Sequence, residues 1–456
     1  MKKPRVAFET LGCKANFFDT QQLQVICERL GFQIVPFSSE ADAYVVNTCT
    51  VTAHADHQGR QALRRAHRQN PLALVIATGC TAQISPQSLE SIEGVDAVFG
   101  AQQREEVIRY LAQSFLVTDA PPSTFDESVP LSQDRARAYL KIQDGCNFRC
   151  AYCALWKARG KSRSRPVALL VDDVHRLVDA GYEEVIITGI HIGSYGRDLQ
   201  GQPKLSHLLQ EIYAKTSVRR IRLSSLDPEC LDPDLLELFL SEKRLARHLH
   251  LSLQSASDSV LRLMRRRTKS ADAKRIIEAL TENSKGFFIA ADIMVGFPGE
   301  TEEDFKRTHQ FLEELSFAWL HVFPFSARPE TVAETMSAQV AKNEIQRRAR
   351  LLTSLAHAKR EKFYQSQIGE TLPVIVTSKQ KDEEGFLHGI SDNNVPILYP
   401  DTGARHGASE EVLIERVHDG KVYGRCQSLQ KKKNNLRRLK SSFTTAFESE
   451  RILSAH

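Results

Sequence analysis

Short apolar runs and amphipathic stretches alternate along most of the chain. The runs at residues 5–9 and 43–47 have the length and composition of buried strands. Residues 19–30 place apolar side chains at the three-and-four spacing of a helix. Strands that alternate with helices form parallel sheets with right-handed crossovers. The pattern therefore predicts an α/β protein built largely on parallel strands.

Changes in this pattern divide the chain into four parts. Residues 1–130 predict an N-terminal open parallel α/β domain, and residues 131–365 contain six further strand–helix units. Six such units in a row favour a (β/α)6 partial TIM barrel. Residues 366–428 carry five short β-like runs joined by polar turns, which indicate a small β-barrel. Residues 429–456 form a basic tail.

Three closely spaced cysteines dominate the candidate chemistry. Cys146, Cys150 and Cys153 follow the first strand of the predicted barrel with the spacing Cys-x3-Cys-x2-Cys. A loop this tight offers three thiolates to one soft metal centre. A structural zinc site would use a fourth ligand close in sequence. The set instead suits a [4Fe–4S] cluster with one open iron, and three buried thiols or an incomplete zinc knuckle are the weaker alternatives.

Three other cysteines occupy equivalent positions in the N-terminal domain. Cys13, Cys49 and Cys80 each lie just past the end of a predicted strand. The carboxyl ends of parallel strands share one edge, where ligands usually bind. The three thiols are therefore expected to meet and to hold a second [4Fe–4S] cluster, with buried free thiols as the alternative. Cys27 lies on the apolar face of a helix and is expected in the core.

Polar and small residues also follow the strands of the predicted barrel. Chemistry in such barrels gathers at the carboxyl ends of the strands. Residues with small side chains or hydrogen-bonding groups at this rim can admit and bind a ligand. Those singled out are Thr188, Gly189, Ser225, Asp227 and Gln254, together with Tyr152 in the Cys loop.

Several motifs resemble those of a known family. The three-Cys loop, with Tyr152 before its last Cys, resembles the signature of the radical S-adenosylmethionine (SAM) enzymes. The chain as a whole is similar to the methylthiotransferases, and Gly12-Cys13-Lys14 is most like the branch that acts on tRNA threonylcarbamoyladenosine. Asp227 and Ala256 depart from the Glu and Gly usual in the family. The similar motifs include Thr10-Leu11-Gly12-Cys13-Lys14, Asn47-Thr48-Cys49, Thr78-Gly79-Cys80, Leu251-Ser252-Leu253-Gln254-Ser255 and Phe323-Pro324-Phe325-Ser326.

The resemblance implies a tRNA-modifying enzyme with two [4Fe–4S] clusters. It implies that the cluster on Cys146, Cys150 and Cys153 binds SAM, which also contacts the rim residues and Tyr152. The strand-end cysteines would supply sulfur for a methylthio group at C2 of N6-threonylcarbamoyladenosine, next to the anticodon. An electron donor is a further expected partner, and the C-terminal barrel resembles the RNA-binding TRAM domain.

Three other functions remain open from the sequence. The substrate is alternatively isopentenyladenosine in tRNA or a ribosomal-protein side chain. A non-catalytic electron-transfer or RNA-binding iron–sulfur protein is the third possibility. Because threonylcarbamoyladenosine carries a carboxylate, its pocket should contain a cation, for which Arg163, Arg165 and Arg328 are the candidates.

Charge and hydropathy add limited information about partners and location. The net charge is only +5, but basic residues concentrate in helix 53–69, at Arg265, Arg266 and Arg267, and in the tail. Each of these groups is a candidate for phosphate contacts, with a solvated face as the alternative. No secretory signal or membrane span is visible, which predicts a cytoplasmic protein with reduced thiols.

Overall fold

A computed structural model describes residues 3–117, 129–131 and 135–427 of the chain. The segment around Pro121 and Pro122, whose prolines and polar neighbours predict a linker, lies outside these ranges, as does the basic tail. The N-terminal part is one parallel sheet with strand order β2-β1-β3-β4-β5. Its elements are β1 (Arg5–Thr10), α1 (Lys14–Arg29), β2 (Gln33–Val35), β3 (Ala43–Thr48), α2 (Ala53–Gln69), β4 (Leu74–Gly79), α3 (Cys80–Ile84), α4 (Gln87–Glu90), β5 (Ala97–Val98) and α5 (Arg104–Ser114).

Two apolar layers cover the faces of this sheet. All six residues of β3 are buried because this strand lies at the centre of the sheet. On one face Tyr44 packs with Leu63 of α2, and on the other Val45 packs with Leu23 and Cys27 of α1. The core position expected for Cys27 is thus confirmed. The hydrophobic pattern did not predict β2, an edge strand of three residues.

The central part is the expected partial barrel. Its six parallel strands are β6, β8, β9, β10, β11 and β12, and a short antiparallel β7, which the sequence analysis missed, pairs with β6. The elements are β6 (Ala138–Asp144), α6 (Leu155–Arg159), β7 (Arg163–Ser164), α7 (Val167–Asp179), β8 (Glu184–Gly189), α8 (Leu205–Lys215), β9 (Arg220–Leu223), α9 (Pro233–Ser241), β10 (His248–Gln254), α10 (Asp258–Leu263), α11 (Ser270–Asn283), β11 (Phe288–Val295), α12 (Glu302–Glu314), β12 (Trp319–Pro324) and α13 (Lys342–Gln365).

Local sequence signals explain how the barrel helices begin. Thr301 caps α12, and its side chain accepts a hydrogen bond from the backbone N–H of Asp304 while the Asp304 carboxylate accepts one from the N–H of Thr301. Asp232 caps α9 with a single hydrogen bond, which its carboxylate accepts from Leu235 N–H. Between β9 and β10, where the two sheets of the barrel meet, a parallel bridge joins Leu226 and Leu251. The barrel is therefore closed on this side by backbone contacts.

The C-terminal part is a closed five-stranded barrel, as the sequence predicted. The strand order is β13-β14-β15-β17-β16, and the interior holds Val374, Ile397 and Tyr399. Its strands are β13 (Thr371–Val376), β14 (Phe386–Ser391), β15 (Pro396–Pro400), β16 (Ser409–His418) and β17 (Lys421–Cys426).

This small barrel packs against the amino ends of the central strands. At the start of β9, Arg220 Nη2 donates to the Pro373 carbonyl at 2.9 Å, and Arg222 Nη2 donates to the Ser391 carbonyl at 2.8 Å. Both guanidiniums also contact the buried Glu184 carboxylate of β8. The small barrel therefore does not cover the opposite rim, at the carboxyl ends of the strands, and that rim faces the N-terminal sheet. No helix within the described ranges is both long and apolar enough to cross a membrane.

Candidate active site

The three strand-end cysteines of the N-terminal sheet meet at one edge. The last residues of the strands that precede these cysteines pair with one another. Thr10 of β1 pairs with Asn47 of β3, and Thr48 of β3 pairs with Gly79 of β4. The Sγ atoms of Cys13 and Cys80 lie 3.9 and 3.8 Å from the same atom, Asn16 Oδ1. Cys13, Cys49 and Cys80 thus form one group, as parallel strands require.

Asn16 and Gly12 hold the loops that carry these thiols. Asn16 Nδ2 donates to the carbonyls of Leu11 and Thr48, at 2.9 and 3.0 Å, and so ties the first two Cys loops together. Gly12 has a φ of +90°, and a Cβ at this position would overlap Cys49 Sγ. Asn16 was not among the predicted site residues, and its only sequence signal is its position three residues after Cys13.

The loop that carries the other three thiols is folded back on itself. Cys146 N–H donates to the Gly160 carbonyl at 3.0 Å, and Cys153 N–H donates to the Cys150 carbonyl at 3.0 Å. Gly145 has a φ of +73°, and a Cβ there would overlap the Lys161 carbonyl. The chain itself therefore fixes the shape of this loop.

Both sets of thiols are the donors that an iron–sulfur cluster uses. Burial raises the pKa of Cys49 and Cys153 to about 12 and that of Cys146 to about 11. A bound metal centre supplies the positive charge that keeps such thiols deprotonated. Among the residues that the structure describes, no group of three His, Cys, Asp or Glu side chains is placed to hold one metal ion. A [4Fe–4S] cluster does not require its ligands to be this close together, because each thiolate would bind a different iron atom.

A buried network of polar side chains borders the three-Cys loop. Arg266 donates to Tyr152 Oη at 3.3 Å and to the Ser252 carbonyl at 2.5 Å, and its Nη2 also contacts the Asp227 carboxylate. The other carboxylate oxygen of Asp227 contacts His191 Nε2. Burial alone would raise the pKa of Asp227, but the His191 hydrogen bond and the Arg266 charge outweigh it and lower the pKa to about 2.

Arg266 lies elsewhere than the sequence suggested, whereas the predicted rim residues lie at the ends of their strands. The sequence made Arg266 a candidate for phosphate contacts, with a solvated face as the alternative, but its side chain is buried and contacts Asp227. Thr188 and Gly189 end β8, and Ser225 follows β9 at the same rim. Gln254 ends β10 with a φ of +70°, an unusual conformation for a residue other than glycine, and its buried Oε1 has no partner within the described part of the chain.

A cavity of about 370 Å³ borders the three-Cys loop and the residues that follow Cys49. Ligand-binding pockets usually span roughly 300–1,000 Å³. One wall follows Cys49, and the other contains Cys153 and its neighbours. The main lining residues are Thr50, Val51 and Thr52 on the first wall, Tyr152, Cys153 and Leu155 on the second, and Gln254, Asp292, His321 and Arg328 from the barrel rim.

Arg328 contributes a guanidinium to the lining of this cavity. Its side chain is largely buried, and Nη2 donates to Thr50 Oγ1 at 3.3 Å across the two domains. Its Nε has no hydrogen-bond partner, and no ion pair to Arg328 occurs within the described ranges. A buried charge without a counter-ion is costly. The arrangement therefore favours an anionic group on whatever fills the cavity.

Asp292 lies in the same cavity between two histidines. Its Oδ1 is 2.9 Å from His321 Nδ1 and 3.0 Å from His250 Nε2. Burial alone would raise the pKa of Asp292, but the hydrogen bonds to His250 and His321 keep it well below its ordinary value. A histidine is more often structural than a ligand, so the sequence predicts structural roles for His250 and His321, and Asp292 was not among the predicted site residues.

Comparison with known proteins identifies the class. Residues 140–312 match the model of the radical SAM superfamily, and residues 5–100 match that of the uncharacterized protein family UPF0004. The radical SAM methyltransferase TsrM from Kitasatospora setae has a similar fold, with a TM-score of 0.54 and 16% identity over 73% of this chain and 75% of that one. The chain is therefore a radical SAM enzyme, a class that uses SAM and a [4Fe–4S] cluster.

Two curated relatives specify the family. The threonylcarbamoyladenosine tRNA methylthiotransferase MtaB of Bacillus subtilis is 37% identical over 90% of this chain and 93% of its own length. The protein of the same name from Aquifex aeolicus is 37% identical over 83% of this chain and 94% of its own length. The chain belongs to the radical SAM methylthiotransferases that modify tRNA.

Proposed function

We propose that this enzyme inserts a methylthio group at C2 of the adenine of N6-threonylcarbamoyladenosine, next to the anticodon of tRNA. Its relatives in Bacillus subtilis and Aquifex aeolicus bear the name of this activity. The structural observation that carries the proposal is Arg328, a buried guanidinium without an acidic partner in the described ranges. Its cavity is lined by Cys153 of one set of thiols and by Thr50, the residue after Cys49 of the other.

The first set of thiols would hold the cluster that binds SAM. Cys146, Cys150 and Cys153 would ligate this cluster, and a cluster with only three protein ligands could also bind SAM. Such a cluster supplies the electron that cleaves SAM into methionine and a 5′-deoxyadenosyl radical. The chain's own contribution is to position SAM and to exclude water. We assign contacts with SAM to Tyr152 and to Thr188, Gly189, Ser225, Asp227 and Gln254.

The second set, Cys13, Cys49 and Cys80, would hold a [4Fe–4S] cluster and the sulfur to be inserted. In the net reaction the C2–H bond is replaced by a C2–S bond, and the hydrogen leaves on 5′-deoxyadenosine. The methyl group comes from another SAM, which leaves as S-adenosylhomocysteine. An adenine in the cavity would face the radical on one side and the sulfur on the other. An unpaired anticodon-loop base can be splayed out to reach it.

Arg328 would pair with the threonyl carboxylate of the substrate. Charge-assisted pairing with a carboxylate suits a guanidinium, because two N–H groups match two oxygens. The other candidates are placed elsewhere: Arg165 pairs with Asp173 at 2.7 Å, and Arg163 faces the carbonyls of Arg159 and Lys161. An isopentenyl group would leave the Arg328 charge without a partner.

To test this proposal, the reconstituted enzyme is reduced with dithionite and incubated with two tRNAs. One tRNA carries threonylcarbamoyladenosine and the other carries isopentenyladenosine. The wild type should methylthiolate only the first. Arg328→Met should lose roughly 2–4 kcal/mol of discrimination between them, the scale for stranding one partner of a buried charge pair.

Arg163→Met is the matched control, because it removes an arginine near the Cys loop but outside the cavity. It should retain the wild-type preference. Methylthiolation of isopentenyladenosine alone would contradict the assignment. An equal loss on both tRNAs in Arg328→Met would show that Arg328 binds a group common to both, such as a backbone phosphate.

A further inference from the structure

Helix α2 begins at the wall of the cavity. Thr50, Val51 and Thr52 line the cavity, and α2 starts at the next residue. Thr52 caps the helix by accepting a hydrogen bond from Ala55 N–H at 3.1 Å. Val51 is 50% exposed, which is unusual for a large apolar side chain beside a cavity. The outer face of α2 is therefore continuous with the place where the substrate base would enter.

The exposed face of α2 is basic along its length. Gly59, Leu63 and Ala66 are buried against the sheet and fix which face points outward. The helix has a single acidic residue, Asp56, which pairs with Arg60 at 3.4 Å. Its exposed side chains include His54, His57, Gln58, Gln61, Arg64, Arg65 and Arg68.

Two arginines of this face lack a counter-charge. Arg65 lies 3.5 Å from Glu9, but Arg64 and Arg68 form no ion pair with any residue of the described ranges. They lie one helical turn apart, about 6 Å along the axis. Solvated surface arginines are common, so exposure alone does not identify a partner. A groove beside these arginines is a second observation that indicates a binding surface.

A groove of about 540 Å³ runs between α2 and the end of β1. Arg64, Arg65 and Arg68 line one side, and Glu9 and Leu11 line the other. Leu11 is two residues before Cys13, so the groove reaches the loop that carries one of the strand-end thiols. A polyanion that enters the groove thus approaches the site that we assign to sulfur transfer.

We infer that this face of α2 binds the phosphate backbone of the tRNA stem that carries the substrate adenosine. The inference rests on the proposed function, which requires the adenosine to enter the cavity while its stem remains outside. A base splayed from a loop leaves its flanking phosphates at the cavity mouth, next to Val51. Arg64 and Arg68 then neutralise phosphates of one strand and release counter-ions.

Salt dependence of tRNA binding tests this inference in the intact holoenzyme. The double variant Arg64→Gln, Arg68→Gln should bind tRNA more weakly and reduce the slope of log K against log salt by roughly 1.4–1.8, the value for two lost phosphate contacts. Its KM for tRNA should rise more than its kcat falls. The control is Lys306→Gln, Arg307→Gln on the exposed face of α12, which should keep the wild-type slope.

A photo-crosslinking amino acid at Gln61, between the cavity and Arg64, locates the bound strand. Crosslinks should map to the anticodon stem. An unchanged salt slope in the α2 variant, or crosslinks only to the acceptor arm, would overturn the inference. Failure of the proposed function has a different signature, because the wild type would then bind tRNA without methylthiolating threonylcarbamoyladenosine.

Discussion

Arg159 Nε lies 3.3 Å from Cys80 Sγ, although the two residues belong to different domains. Arg159 ends α6, directly after the three-Cys loop, and Cys80 follows β4 of the N-terminal sheet. The same guanidinium bonds to Asp19 at 2.6 Å and to Asp144 at 3.3 Å. One buried side chain therefore connects the two candidate cluster sites.

Removing this guanidinium should destabilise the protein. Arg159→Met leaves Asp19 and Asp144 with fewer counter-charges in a buried site, and breaking such a pair costs about 3–5 kcal/mol. Urea unfolding of the cluster-free protein measures the change. Arg109→Met, at an exposed pair with Glu106, serves as the control. Equal unfolding free energies for the wild type and Arg159→Met would contradict this account.

Arg159 should also affect the electronic properties of the second cluster. A hydrogen bond to a ligating sulfur stabilises the reduced cluster and raises its reduction potential. Arg159→Lys keeps a positive charge near the site but loses the N–H bond from Nε to Cys80. The potential of the cluster on Cys13, Cys49 and Cys80 should therefore become more negative in a redox titration followed by electron paramagnetic resonance. Unchanged potentials would show that the 3.3 Å contact has no electronic role.

The two sets of thiols should be separable by substitution. Cys150→Ala should abolish SAM cleavage, because that site needs all three thiolates. Cys49→Ala should retain 5′-deoxyadenosine formation and stop methylthiolation. Chromatography of 5′-deoxyadenosine together with nucleoside analysis gives both readouts. Full methylthiolation by Cys49→Ala would refute the role of the second set as the site of sulfur transfer.

Glu184 should make stability depend on pH in the acid range. Burial alone would raise its pKa, but the charges of Arg222 and Arg220 outweigh it and lower the pKa from 4.5 to about 2. Because the pKa is lower in the folded state, the stabilisation is present above about pH 4.5 and is lost as the pH falls towards 2. Glu184→Gln should be less stable at pH 7 and show a weaker acid-induced loss of stability.

Urea midpoints at pH 7, 5 and 3 test this prediction. Glu303→Gln, at an exposed position of α12, is the control and should follow the wild-type profile. Parallel profiles for Glu184→Gln and the wild type would mean that the contacts of Arg220 and Arg222 with Glu184 are not a source of the pH dependence.

Hydrophobic patterning predicted the architecture where elements are long and regular. It identified β1, β3, β4 and the six barrel strands, and the rule for parallel strands then brought Cys13, Cys49 and Cys80 to one edge. It missed β2 and β7, which have three and two residues. Segments this short carry too few positions to display a period.

Pairings between side chains were less predictable. Arg266 stands among charged neighbours in the sequence, yet it reaches Asp227, 39 residues away. Arg165 was a candidate for the substrate carboxylate but pairs with Asp173 on the following helix. Which rim residues face one another depends on the twist and closure of the barrel, and local sequence does not encode these directly.

The most direct test of the central claim is mass spectrometry of tRNA nucleosides from cells that lack this protein. The account predicts that 2-methylthio-N6-threonylcarbamoyladenosine disappears and that N6-threonylcarbamoyladenosine accumulates. The wild-type gene should restore the methylthio nucleoside, and the Cys49→Ala variant should not. An unchanged level of that nucleoside, with loss of the methylthio derivative of isopentenyladenosine instead, would contradict the account.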